Sequence, residues 1–194
     1  MKVDRPKTHQ HKKSVCVLLS GGLDSAACIA FYQGRGHPVH ALHIDYGQSA
    51  AKQENAASEA IADHFRVRVH KLCLRGAHAK SSGLVQGRNA FLLLAALMEF
   101  SDRASFFATG MHAGTAYGDC TPTFVDSMQR VFDIYTDGVC RVAAPFVEWT
   151  KRDIWEFCVK REIPVNLTYS CEVGGRKPCG RCLSCKDLEV LCGA

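Results

Sequence analysis

Residues 14–25 read SVCVLLSGGLDS. The run from Ser14 to Ser20 is apolar and β-branched, and Gly21 and Gly22 end it, which predicts a short buried strand turning into a helix over Leu23 to Gln33. Working outward, Val39 to Asp45 reads as a second strand, Gln53 to Phe65 as a helix, and Arg66 to Leu74 as a third strand. Asn89 to Phe100 (NAFLLLAALMEF) is too long and too rich in helix formers for a strand. Ala104 to Thr109 then restores strand character. Thr121 caps a helix that starts at Pro122 and runs to about Tyr135. Arg141 to Phe146 is a last strand, and Thr150 with Asp153 makes a capping pattern for a helix ending before Pro164. Strands alternating with helices at this spacing predict an α/β fold, with a doubly wound, mostly parallel five-stranded sheet, right-handed crossovers and helices on both faces.

A chain of 194 residues, 47% hydrophobic and 22% charged, suits one globular domain with a small appendage. Fibrous, collagenous and disordered classes are excluded. The net charge is +5, but the first thirteen residues hold five basic groups against Asp4 alone and so carry +4 of it. The remainder is close to neutral, which argues against a surface that grips nucleic acid by neutralising phosphates. MKVDRPKTHQHKK contains no apolar signal core, and no stretch approaches 18 apolar residues. The expectation is a cytoplasmic protein with no membrane contact. Three regions are expected: a flexible basic tail (1–13), an α/β body (14–165) and a cysteine-bearing segment (166–194).

The loop Ser20-Gly21-Gly22-Leu23-Asp24-Ser25 lies at a strand-to-helix junction, where a helix N-terminus offers unpaired N–H groups to an anion. Adjacent glycines admit phosphate oxygens close to the backbone, and Ser20 and Ser25 add hydroxyls. A carboxylate at Asp24 repels phosphate unless a cation lies between them, which suggests Mg²⁺ on a pyrophosphate. The loop has neither the lysine of a P-loop nor GxGxxG. The plainer reading is a turn whose glycines serve geometry and whose serine and aspartate serve as caps.

Eleven cysteines are present, and Cys171, Cys179, Cys182 and Cys185 stand in C-x7-C-x2-C-x2-C. In a reducing compartment this is metal-ligand spacing. Four thiolates suit a structural, tetrahedral Zn²⁺, with a disulfide pair or an iron–sulfur cluster as the alternatives. Cys16, Cys28, Cys73, Cys120, Cys140, Cys158 and Cys192 are scattered and read mostly as small core residues.

SGGLDS after a first strand resembles the pyrophosphate loop of the N-type ATP pyrophosphatases, an adenine nucleotide alpha hydrolase-like fold. That resemblance implies strand order 3-2-1-4-5, ATP as substrate, cleavage between its α and β phosphates, and adenylation of an acceptor. Asp45-Tyr46-Gly47-Gln48, Gly87-Arg88-Asn89, Thr109-Gly110 and Gly118-Asp119-Cys120, with the four cysteines, sharpen it towards the 7-cyano-7-deazaguanine synthase family. The resemblance implies a deazaguanine carboxylate and ammonia as small-molecule partners, with amide and then nitrile as products. It assigns ATP contacts to the run Leu19, Ser20, Gly21, Gly22, Leu23, Asp24 and Ser25, and to Asp45, Gln48 and Gly110. Base contacts fall to Tyr46, Arg88, Asn89 and Asp119, and catalytic roles to Asp24, Lys151 and Arg88. Plainer readings stay open: Asp45 and Asp119 as turn residues, Tyr46 as packing, Arg88 and Lys151 as solvated helix starts, and His43 as a strand histidine.

The chain departs from the family in two places. Arg75 to Gln86 is short where the family carries a longer insertion, and little follows the cysteines before Ala194. A shortened lid leaves an adenylate open to water. Either a second copy completes the pocket, which predicts a homodimer, or the acceptor is a protein amine that closes the site itself. A third reading, a zinc-containing tRNA-modifying or nucleic-acid-binding protein, is opposed by the near-neutral body and by the absence of a basic-aromatic stripe.

Overall fold

The computed structural model describes residues 13–74, 85–115 and 117–193, so the basic tail before Lys13 and most of Arg75 to Gln86 lie outside the described residues. Side-chain alternation along the first strand, β1 (Val15–Leu18), sets the layering: Val15 and Val17 enter one core cluster and Cys16 the other. β2 (Val39–Asp45) pairs with β1 on one side, and β4 (Phe106–Ala108) pairs on the other. β3 (Val69–Cys73) and β5 (Arg141–Ala143) form the edges. The order is β3-β2-β1-β4-β5, parallel throughout.

Helices α1 (Leu23–Gln33), α2 (Ala51–Phe65) and α5 (Lys151–Lys160) cover the valine side, where Ile29, Ile61 and Ile154 are fully buried. Helices α3 (Arg88–Phe100) and α4 (Pro122–Thr136) cover the cysteine side through Leu93, Phe100 and Phe132. Both caps read from the sequence form: Thr121 Oγ1 accepts the Phe124 N–H, and Thr150 and Asp153 exchange the two bonds of a capping box.

Two strands are shorter than the apolar runs that foretell them. β5 stops at Ala143 because Pro145 has no N–H for the ladder, and Phe146 instead fills the core from a turn. β3 starts only at Val69, because Arg66 takes a left-handed conformation (φ 54°) that closes α2. A further helix, α6 (Leu183–Cys192), follows the cysteine knuckle and was not anticipated. No described helix is long and apolar enough to cross a membrane.

Candidate active site and metal centre

The sheet reverses direction of winding at β1, so a crevice opens beyond the C-terminal ends of β1 and β4. The glycine loop fills one wall. Gly21 has φ +90°, and a Cβ there would stand 2.6 Å from the Glu54 carbonyl oxygen, so only glycine lets the loop lie against α2. Gly22 begins α1 with no side-chain cap, which leaves the first turn's N–H groups available to an anion. The serine hydroxyls shape the loop: Ser25 Oγ donates to Gly22 O at 2.8 Å, Ser20 Oγ donates to Ser25 Oγ at 3.2 Å, and Gly22 N–H donates to Ser20 Oγ at 3.4 Å. Leu19 and Leu23 are core residues whose contribution to the loop is backbone.

Asp24, on the first turn of α1, meets Lys151, the first residue of α5. Lys151 Nζ donates to both carboxylate oxygens, at 2.5 and 2.6 Å. Gly110 packs directly on the Asp24 backbone, 2.8 Å from where its Cβ would sit. His112 completes the group with Nε2 3.8 Å from Asp24 Oδ2. Nothing in the sequence singled out His112, because a lone histidine after a short strand carries no spacing signal.

Beyond β2 the motif residues hold one another. Asp45 Oδ1 accepts the Gly47 N–H at 2.9 Å, a turn role. Gln48 Oε1 accepts the Tyr46 N–H at 3.0 Å, while its Nε2 donates to Glu54 Oε2 at 2.7 Å. These two side chains shape the turn. Tyr46, Glu54 and Arg88 form a cluster behind it: burial pushes the Tyr46 hydroxyl up against the opposing pull of Arg88, with which it hydrogen-bonds. Burial likewise raises the Glu54 carboxyl, opposed by the Gln48 bond and by the charges of His43 and Arg88. Glu54 is a second residue that the sequence reading missed. His43 is a buried strand residue whose Nδ1 donates to Leu19 O at 3.0 Å. Arg88 Nε donates to Asn89 Oδ1 at 3.4 Å, and Asn89 Nδ2 donates to Asp119 O at 3.2 Å. The start of α3 is thereby tied to the turn at Gly118–Cys120.

The four Sγ atoms of Cys171, Cys179, Cys182 and Cys185 all lie within 4.8 Å of one another, and Cys179 Sγ and Cys185 Sγ are 3.9 Å apart. Sulfurs at about 2.3 Å from a tetrahedral zinc sit roughly 3.8 Å apart, so the donor set fits that ion. Backbone N–H groups aim at the sulfurs, from Cys179 to Cys171 at 3.3 Å and from Arg181 and Cys182 to Cys179 at 3.4 Å. Burial pushes the Cys171 thiol up, but the hydrogen bonds it accepts outweigh this and bring it down to about 6. Such a thiol is poised to ligate. The segment is tied to the glycine loop, because Tyr169 N–H donates to Gly21 O at 2.8 Å, and to the β2–α2 turn, because Ser49 Oγ donates to Glu172 O at 3.2 Å.

Among solved structures, a 4-thiouridine synthetase in complex with RNA and ATP superposes with TM-score 0.55 at 17% identity, covering 93% of this chain and 50% of its own. The U34-tRNA thiolase NcsA from Methanococcus maripaludis gives 0.54 at 13%, covering 94% and 65%. These likenesses concern the fold. Among curated proteins, the 7-cyano-7-deazaguanine synthase of Synechococcus sp. (strain RCC307) is 31% identical, covering 89% of this chain and 91% of the relative. That of Haloarcula marismortui is 34% identical, covering 87% and 85%. The family model described as queuosine biosynthesis protein QueC matches residues 14–83 and 75–189, from β1 to the far side of the cysteine knuckle. With a family match that spans both the sheet and the thiol cluster, and relatives that align over most of their length, the chain belongs to the QueC, or 7-cyano-7-deazaguanine synthase, family.

Proposed function

We propose that the chain is an ATP-dependent synthetase of queuosine precursor synthesis, which adenylates the carboxylate of 7-carboxy-7-deazaguanine and aminates it with ammonia. The observation that carries this reading is the Asp24–Lys151 pair at the open N-terminus of α1, beside the glycine loop. A substrate carboxylate oxygen attacks the α-phosphorus, and the bond to pyrophosphate breaks. The loop N–H groups and Lys151 Nζ take up the charge that grows on the leaving pyrophosphate. Ammonia attacks the acyl carbon, AMP departs, and a proton is lost to leave the amide. A second ATP adenylates the amide oxygen with release of pyrophosphate and one N–H proton, and loss of AMP with the remaining N–H proton gives the nitrile.

Asp24 is a suitable anchor for Mg²⁺, which needs only one or two carboxylates besides phosphate oxygens and would supply charge neutralisation on the phosphate chain. Cys171, Cys179, Cys182 and Cys185 would hold Zn²⁺, which supplies cross-linking of the segment. Tyr46, Arg88, Asn89 and Asp119 are the groups for the base, with Arg88 the cation for its carboxylate.

The test is incubation with ATP, Mg²⁺, 7-carboxy-7-deazaguanine and ammonia, with products identified by mass. AMP, pyrophosphate and the amide or nitrile are expected. Asp24→Ala should lower pyrophosphate release by roughly 10²- to 10³-fold with the circular dichroism spectrum unchanged. Normal turnover in that variant would remove the loop from the mechanism. ATP use that requires a protein amine in place of ammonia would redirect the acceptor and leave the activation step as described.

A further inference from the structure

His112 has no part in the chemistry described so far, yet its place is closely built. Its side chain is 8% exposed, and Nδ1 accepts the Gly114 N–H at 3.0 Å. The neutral ring must therefore carry its proton on Nε2. That nitrogen lies 3.8 Å from Asp24 Oδ2, too far for a hydrogen bond while Lys151 holds both oxygens. Gly114 has no room for a side chain, because a Cβ would stand 2.9 Å from His112 Nδ1 and 3.3 Å from the Lys151 backbone nitrogen. Ala113 N–H donates to Trp149 O at 2.9 Å, which clamps this turn to the segment leading into Lys151.

Three charged groups face the ring: Asp24, Lys151 and Asp187 of α6. Burial lowers the imidazole's pKa; Asp24 opposes this, Lys151 adds to it, and Asp187 opposes it. Because Nδ1 accepts the Gly114 N–H, it carries no proton, and the ring is an uncharged Nε2–H donor.

Lysine cannot serve Asp24 at 2.5 Å and an arriving phosphate chain with equal effect. Once it turns away, Asp24 Oδ1 is left for Mg²⁺ on the phosphates while Oδ2, the oxygen nearer His112, needs another donor, and one without charge leaves the lysine's attraction for phosphate undivided. We propose that His112 is the positioning residue for Asp24: when Lys151 swings to the phosphates, the His112 Nε2–H closes on Oδ2 and holds the carboxylate in place. This rests on the nucleotide activation proposed above.

The test compares His112→Phe, which keeps the ring volume without a donor, with His112→Gln, whose amide N–H reaches towards the same oxygen. Pyrophosphate release from ATP and the melting temperature are measured for both, with Asp24→Ala alongside. His112→Phe should lower kcat by roughly 10-fold or more, the range for a lost bond to a charged group, with the KM for ATP little moved. His112→Gln should recover most of the rate, and both should melt close to the parent. Nitrogen-15 spectra of the unaltered protein should show the Nε2–H tautomer, with that proton shifting when magnesium pyrophosphate is added. If His112→Phe turns over like the parent while Asp24→Ala is inactive, or if the proton is on Nδ1, the positioning role falls and the activation stands. If the unaltered protein releases no pyrophosphate, both fall.

Discussion

Glu54 carries a carboxyl into the body of the protein behind the glycine loop, and its burial has a consequence for pH. The folded-state pKa is raised above 4.5, chiefly by desolvation. Protonation therefore favours the folded chain, and this stabilisation is complete below the unfolded value and lost as pH rises through the raised folded value. Glu54→Gln is neutral at every pH and can keep the bond from Gln48. It should melt like the parent near pH 4 and above it at pH 7 to 8, as thermal unfolding across that range would reveal. A difference independent of pH would mean that the carboxyl is not the source. Residues such as Asp24, Ser25 and the four cysteines were legible in the sequence because their chemistry is local in spacing. Glu54 and His112 were not: His112 gains its role from Asp24, far along the chain, and Glu54 differs from the other acidic residues of α2 only in its burial, which tertiary packing creates. The contact between Asp24 and Lys151 spans 127 residues, and nothing in either local sequence announces it.

Helix α5 places Lys151 by means of its cap. Thr150 and Asp153 satisfy each other's backbone N–H groups, with bonds of 3.2 and 2.7 Å, so the lysine enters the first turn at a fixed angle. Thr150→Ala should cost about 1 kcal/mol and lower the melting temperature by about 2–4 °C. It should also reduce pyrophosphate release, whereas Ser127→Ala on α4, remote from the loop in sequence and on the other face, should not. Equal effects of the two on turnover would detach the cap from the site. Elements with strong local signals were readable: α1 and β2 fall where the apolar runs put them. The ends of β3 and β5 were not, because a left-handed Arg66 and the missing N–H of Pro145 stop the chain's regular course within runs that stay apolar. Helix α6 escaped notice because Cys185 reads as a ligand and the ten residues offer little periodicity.

Across the whole molecule, the metal segment is bound to the body by the bonds from Tyr169 to Gly21 and from Ser49 to Glu172. One zinc per chain is expected by elemental analysis, and Cys182→Ser should lose metal and solubility together. Stripping the ion should loosen the glycine loop as well as the knuckle, seen as faster hydrogen exchange at residues 20–25. Protection there that survives metal loss would show that the two regions are energetically separate. The sheet order followed from the resemblance of one loop, whereas the brace between that loop and the metal segment is a product of tertiary packing alone.

That brace also imposes an order in time. The glycine loop leaves the ribosome directly after β1, and Tyr169, whose N–H holds the Gly21 carbonyl, leaves it only after β5 and α5. A nascent chain that has completed all five strands still lacks this tether, so translation finishes the scaffold well before it finishes the site.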